Sequence, residues 1–183
     1  MTDTVWWIKK LQLAPHPEGG YFRRVYTATE CIDQAALPPR YRGPRPFATA
    51  IYYLLPGYEF SSLHRLQSDE LWHFYYGSSL TLHSIDEQRH HLTIRLGSNP
   101  EAEQSFQAAI KAGWWFGVTV DDPAAYALVG CTVSPGFDFA DFEVGEREVL
   151  LREYPEHASL IVRLTRQRSN RGAKDADLAP EIR

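Results

Sequence analysis

The side chains that could do chemistry crowd into one stretch, LPGYEFSSLHRLQSDELWHFYYG, from Leu55 to Gly77. His64 is followed by Glu70 and then His73, among aromatic residues and between glycines, which has the look of a metal-binding box. Imidazole nitrogens and a carboxylate are the donors such a box needs. Alternate residues of a strand share a face, so the natural second ligand would stand two places after His64. That place holds Leu66, whose side chain has no lone pair to give. One His and one Glu grip a catalytic metal poorly. His64 and Glu70 are therefore the metal ligands if a metal binds, and no cofactor is expected.

The same pair suits acid–base work. A carboxyl among Trp72, Phe74 and Tyr76 is pushed toward its protonated form by desolvation unless it is paired. His64 is the expected partner, kept charged by Glu70, and such a dyad suits proton transfer at a carbon beside a carbonyl. Tyr52 and Tyr53 are neighbours in FATAIYYLL, so one of them points inward; Tyr52 is assigned as the general acid, with Tyr21 as its alternative. In HPEGGYFR, Glu18 can reach a pocket mouth, with Tyr21 and Arg23 following on one face of a strand. Arg23 or Arg24 suits an anionic group of a substrate, since guanidinium binds carboxylate and phosphate in two-pronged fashion. Trp72, Phe74, Trp115 and Phe116 are the expected aromatic walls. His73, three residues from Glu70, should face away from it; His83, His90 and His91 are expected at the surface or in turns. In SPGFDFADFEVGE the phenylalanines are expected to dock, and the acids to cap the next helix or pair with arginines of the 31–46 segment.

These side chains need a frame that many short strands provide. Residues 3–12 read as a helix with an apolar side formed by Val5, Trp6, Ile8 and Leu11, capped by Thr2 or Asp3. GGYFRRVYTAT alternates like a strand, and LPPRYRGPRP is too rich in proline for helix or central strand. From Phe47 to Val133, eight short apolar runs are mostly separated by Gly, Pro, Asn or Asp. That cadence without interleaved helices predicts an antiparallel sandwich or barrel. GEREVLLREYP reads as a helix, and EHASLIVRLTRQ fits helix or strand. The boundaries expected are a single domain over 1–166 and a disordered tail over 167–183.

Composition bounds the function. A net charge of -4 without a concentrated basic face argues against nucleic acid as a partner. No apolar run approaches a membrane span and the N-terminal segment lacks a secretory pattern, so a cytoplasmic protein with no membrane partner is expected. Cys31 and Cys131 belong to no CxxC pair and fit reduced thiols.

The chain resembles the cupins, small double-sheet β-barrels whose first signature holds a glycine, a His-x-His pair, a glutamate and a closing glycine. Gly57, His64, Glu70 and Gly77 follow that pattern, with Leu66 at the second histidine and the first glycine shifted by one place. The second signature is nearest at KAGWWFGVTV, where Phe116 stands at the third histidine. More closely, HPEGGYFRRVYTA, FATAIYYLLPG, AGWWFG and SPGFDFADFEVGEREVLLREYPEH resemble the cupin-5 family over about Leu11 to Leu164. The resemblance implies an all-β jelly-roll barrel (a double-stranded β-helix) with short flanking helices, a pocket in the barrel and a homodimer. It also implies that two of four metal-ligand positions are filled by Leu66 and Phe116, which disfavours a divalent metal. The expected function is binding of a small polar or anionic metabolite in an aromatic-lined pocket, with metal-independent isomerase or epimerase chemistry at the His/Glu pair. The alternatives are a non-catalytic binding module, and a metal-dependent oxygenase or hydrolase with Glu18 or His73 completing its ligand set.

Overall fold

A computed structural model describes residues 3–167; the expected disordered tail lies outside the described residues apart from Gln167. The strands are β1 (Ala14–Pro15), β2 (Tyr21–Thr27), β3 (Cys31–Ile32), β4 (Arg45–Pro46), β5 (Thr49–Pro56), β6 (Phe60–Leu66) and β7 (Asp69–Gly77). They continue as β8 (Leu80–Ile85), β9 (His91–Leu96), β10 (Gln107–Ile110), β11 (Trp115–Val120), β12 (Tyr126–Ser134) and β13 (Phe142–Val144). Helix α1 (Thr4–Leu11) precedes them, and α2 (Arg147–Glu153) and α3 (Ala158–Arg163) follow.

Two antiparallel sheets face each other. One has the order β1-β2-β5-β12-β7-β10 and the other β13-β6-β11-β8-β9. They form a jelly-roll sandwich and do not close into one continuous hydrogen-bonded barrel. Tyr53, Trp72, Leu82, Phe116, Val118 and Val129 fill the space between them. The 31–46 segment contributes the β3–β4 pair and a 3-10 turn at Gln34–Ala36. A short strand, β13, forms inside the segment whose phenylalanines are expected to dock, and extends the second sheet by pairing Phe142 with Leu66 and Val144 with His64.

The helices cover the outer faces. Asp3 caps α1 by accepting the Trp6 N–H at 2.7 Å, and Trp7, Ile8 and Leu11 pack over Leu54 and Leu128. The ambiguous C-terminal segment is helical: α2 and α3 bury Leu150, Leu160 and Ile161 against Leu63, Ile85 and Trp115. No helix of the described residues is long and apolar enough to cross a membrane.

One buried ion pair ties the proline-rich segment to the sandwich. Arg45 Nε and Nη2 donate to Asp141 Oδ2 and Oδ1 at 2.6 and 2.7 Å. Of the acids in the 134–146 segment, Asp141 thus pairs with an arginine of the 31–46 segment, Glu143 pairs outside it with Arg65 at 2.7 Å, and Glu146 stands at the N-cap of α2 without a side-chain capping hydrogen bond. Both side chains of the Arg45–Asp141 pair are buried, at 4 and 5% exposure. Removing one partner strands a charge in the interior. Asp141→Ala should therefore lose about 3–5 kcal/mol in urea denaturation, whereas Arg45→Met combined with Asp141→Leu should recover most of it.

Candidate functional site

A cavity opens at one end of the sandwich. Its walls come from the 16–20 turn, from β2, β5, β7 and β12 of the larger sheet, from β6 opposite, and from Phe137 and Phe142. Its volume is about 30 Å³, room for about two waters.

The turn HPEGG carries the first pair of functional side chains. Gly19 and Gly20 have φ of 120° and 67°, in the region that favours glycine. A Cβ on Gly19 would stand 2.3 Å from the Phe60 carbonyl. Two glycines therefore let the turn press His16 and Glu18 against β6. Tyr53 donates to the Gly19 carbonyl at 2.8 Å and Glu59 accepts the Gly20 N–H at 3.0 Å.

His64 reaches the cavity from β6. Its Nδ1 lies 2.7 Å from the Ser62 carbonyl. A carbonyl only accepts, so Nδ1 carries a proton. Its Nε2 lies 3.1 Å from Glu18 Oε2, and the pair shares one further proton. Burial lowers the His64 pKa to about 4, with the Ser62 bond opposing the shift. Burial likewise raises the Glu18 carboxyl, against His16 and the hydroxyls of Ser61 and Tyr53. Burial therefore disfavours both the Glu18 carboxylate and the His64 imidazolium, and the contact holds one proton between Oε2 and Nε2. Glu18 Oε1 accepts from Ser61 Oγ at 3.0 Å. His16 stands behind, its Nδ1 3.5 Å from Glu18 Oε2 and its pKa lowered chiefly by burial.

Glu70 projects into the same cavity from β7, where it accepts the Trp72 Nε1–H at 3.0 Å. Burial, and then the charge of Glu18, raise its pKa to about 8. The expected His64–Glu70 dyad is thus replaced by His64–Glu18, and His64 is neutral instead of held charged. Glu70 stands as a separate, protonated carboxyl.

Glu18, His64, Glu70, Trp72 and Leu66 line the cavity together. Tyr52 and Arg23 do not; their neighbours Tyr53 and Arg24 do. Register explains both differences. Phe22 pairs with Tyr53 and Arg24 with Ile51, so the inward residues of β2 and β5 are Phe22, Arg24, Ile51 and Tyr53. A shift of one residue sends every side chain to the other face. Tyr52 instead meets Tyr75 on the outer face, with ring centroids 6.1 Å apart. Arg23 is tied to the Leu11 carbonyl and Gln12 at the end of α1, and Tyr21 packs beneath α1.

Trp115 also faces outward, under α2 and α3, while Trp114 packs on the inner cluster. Phe116 backs the His64 ring at a centroid distance of 4.0 Å without lining the cavity, and Phe74 packs into the inner cluster. His73 faces away, against Thr132. His83, expected at the surface, is buried at 7% exposure and stacks on His91. Sequence reasoning missed His16 and Cys131 as wall residues and left Tyr53 open against Tyr52; the signal for His16 was its place two residues before Glu18 in the glycine turn.

The family model described as Cupin superfamily (DUF985) matches residues 6–145. The chain belongs to the cupin superfamily. Among solved structures, this cupin is similar to a Shewanella oneidensis protein at 36% identity, covering 91% of this chain and 99% of that one with a TM-score of 0.83. It is similar to a hypothetical protein from Leishmania major at 35% identity, covering 88% and 98%, with a TM-score of 0.80. Bacillus subtilis oxalate decarboxylase, an enzyme with Mn(II) centres, shares the fold at 14% identity and a TM-score of 0.52, covering 86% of this chain and 38% of that one. No curated protein matches the chain.

The cupin fold raises the question of a metal: His16, Glu18, His64 and Glu70 are the donors that line this cavity, and the two ligand positions held by Leu66 and Phe116 supply none. Leu66 presents hydrocarbon, Phe116 lies behind the His64 ring, and His64 Nε2 already faces Glu18. Among the described residues no group of three or more His, Cys, Asp or Glu side chains is placed to hold an ion.

The burial of these groups has a pH signature. Folded Glu70 keeps its proton up to about pH 8, whereas an unfolded glutamate loses it near 4.5. Its contribution to stability is complete below pH 4.5 and is lost as the pH rises through 8. His64 runs the other way: its contribution is complete above pH 6.5 and is lost as the pH falls toward 4. Glu70→Gln does not titrate, so its stability relative to wild type should rise by about 2–4 kcal/mol between about pH 5 and 8.5 in urea titrations. A difference that stays flat with pH would mean that Glu70 is ionised in the folded protein.

Proposed function

We propose that this cupin is a metal-independent proton-transfer enzyme of the isomerase or epimerase class, acting on a small carbonyl-bearing acid. The observation that carries the reading is the 3.1 Å contact between Glu18 Oε2 and His64 Nε2 inside a cavity that also holds a protonated Glu70.

The pair makes a base without adding charge. Moving the shared proton from Glu18 to His64 Nε2 turns a neutral pair into carboxylate and imidazolium, and the cavity keeps the same net charge. The Glu18 carboxylate then removes the proton from the carbon beside the substrate carbonyl. Glu70 stands on the facing sheet with a proton to give to the oxygen that becomes anionic. Glu18 then returns its proton to the neighbouring carbon while Glu70 recovers one from the hydroxyl that becomes the new carbonyl, which isomerises the substrate. Inversion has Glu70 give its proton to the opposite face of the carbon instead of to the oxygen, leaving Glu18 protonated and Glu70 ionised until solvent exchanges them. Acid and base set apart in this way supply about 10²–10⁴-fold of rate.

The cavity limits the substrate. At about 30 Å³ it admits a few heavy atoms, not a sugar nucleotide. Arg24 lines the mouth, its guanidinium carbon 5.6 Å from the Phe137 ring centroid. This arrangement supports a carboxylate or phosphate held at Arg24 while the reacting carbon enters the cavity.

A panel of small keto acids, hydroxy acids and triose phosphates in D2O, followed by proton NMR for exchange at the carbon beside the carbonyl, tests the reading across the whole substrate class. Wild type should exchange at least one of them, and Glu18→Gln and His64→Ala should each slow this by about 10²–10⁴-fold. The rate should fall as the pH rises through about 8, where Glu70 loses its proton. Saturable binding without exchange across the panel would make the protein a binding module instead.

We also propose that the protein is a homodimer joined through the outer face of the larger sheet, where Leu71 and Tyr75 are exposed at 38 and 51%. Light scattering should give twice the monomer mass, and Leu71→Lys with Tyr75→Lys should return it to one.

A further inference from the structure

The groups that set Glu18 and His64 against each other are held in turn by a residue far along the chain. Both side chains are anchored on the Ser61–Ser62 step of β6. Ser61 Oγ donates to the Glu18 carboxyl, the Ser62 carbonyl accepts from His64 Nδ1, and the Ser62 N–H donates to the Glu18 carbonyl at 2.8 Å. The arginine at 166 reaches this same knot. Its guanidinium donates to the Glu18 carbonyl and to Ser62 Oγ, and to the Phe60 carbonyl at 3.1 Å. It lies over the Phe60 ring, 4.5 Å from the centroid.

We propose that Arg166 is the positioning residue of the Glu18–His64 pair, clamping the glycine turn that carries Glu18 onto the strand that carries His64.

Three observations carry this. The guanidinium bonds both chain segments at once, so it fixes their separation and not merely one of them. The space beside it is reserved by glycine: a Cβ on Gly19 would stand 2.6 Å from Arg166 Nη2. The strap that delivers it is itself fixed. Leu164 is fully buried and its carbonyl accepts the Leu63 N–H at 2.7 Å, while Arg147 Nε donates to Thr165 Oγ1 at 2.8 Å. Arg166 lies beyond the family-matched residues 6–145, so the family model does not assign it this task. The positive charge also favours the Glu18 carboxylate, against the larger effect of burial, which raises its pKa.

The inference rests on the proton-transfer reading for its consequence in rate, but not for its test. Arg166→Met keeps an apolar stem over Phe60 and removes all three hydrogen bonds. Nitrogen NMR of the unliganded protein should show a single His64 tautomer, protonated at Nδ1, in wild type. In Arg166→Met that signal should broaden or split between tautomers. Exchange on the active substrate should drop by about 10–100-fold in kcat with KM changed less than about threefold, since the fault is in placement. Arg166→Lys should recover only part, because an ammonium carries its three donors on one nitrogen and lacks the planar fork whose two nitrogens span the acceptors. Should Arg166→Met fail to fold, Arg166→Lys carries the comparison alone, with an intermediate tautomer signature expected. An unchanged His64 spectrum and unchanged rate in either folded variant would overturn the proposal. A disturbed His64 spectrum in a protein that exchanges no substrate would instead overturn the proton-transfer reading and leave the clamp standing.

Discussion

Two ionisable groups share a cavity that would reject either charge alone, and much of the local structure follows from keeping them together. Burial opposes the carboxylate of Glu18 and the imidazolium of His64 separately, and isolated buried charges are costly. At 3.1 Å the two neutralise each other whichever of them holds the proton. This requires Nδ1 of His64 to be committed elsewhere, which the Ser62 carbonyl does. It also requires the turn bearing Glu18 to come within hydrogen-bond reach of β6. Only backbone without side chains can approach so closely, hence the two glycines at 19 and 20.

The wider fold supplies rigidity to both sides of that contact. His64 sits mid-sheet between β11 and β13, with Phe116 and Phe142 as cross-strand neighbours of its ring. Behind β6, Leu63 and Trp115 bury against α2 and α3. The Arg45–Asp141 pair anchors the segment that runs from the cavity's Phe137 into β13. The helices that look peripheral in sequence therefore brace the strand that holds the histidine.

The fold was largely legible from the strand cadence, and most strand runs fall where turn residues bound them. The site was legible in part. His64, Glu70 and Glu18 carry polar groups in otherwise apolar or glycine-rich runs, which singles them out. The wrong choices within pairs share one cause. In FATAIYYLL both faces of β5 are covered, one by the opposite sheet and one by α1 and the outer-face aromatics, so Tyr52 and Tyr53 are equally plausible inward residues. Arg23 and Arg24 present the same ambiguity on β2. Only pairing register, a tertiary property, decides between them. The identity of His64's partner was also hidden, because Glu18 arrives from a turn 46 residues earlier (64 − 18) and no local spacing announces it. The strand at β13 was equally hidden, because its three residues form a strand only by pairing with β6.

Glu70 gives the cavity its direction. Two carboxyls in one buried cavity cannot both be ionised cheaply. When Glu18 passes its proton to His64 and becomes a carboxylate, it reinforces the hold of Glu70 on its own proton. The act of making the base thus secures the acid, and the Trp72 N–H, which favours the Glu70 carboxylate, sets the limit to that effect. Leu66 belongs to the same logic. A second histidine there would invite a cation, and a cation would strip the protons from both carboxyls. A hydrocarbon wall keeps the medium dry, keeps Glu70 protonated near neutral pH, and leaves the proton between Glu18 and His64 as the mobile charge of the site.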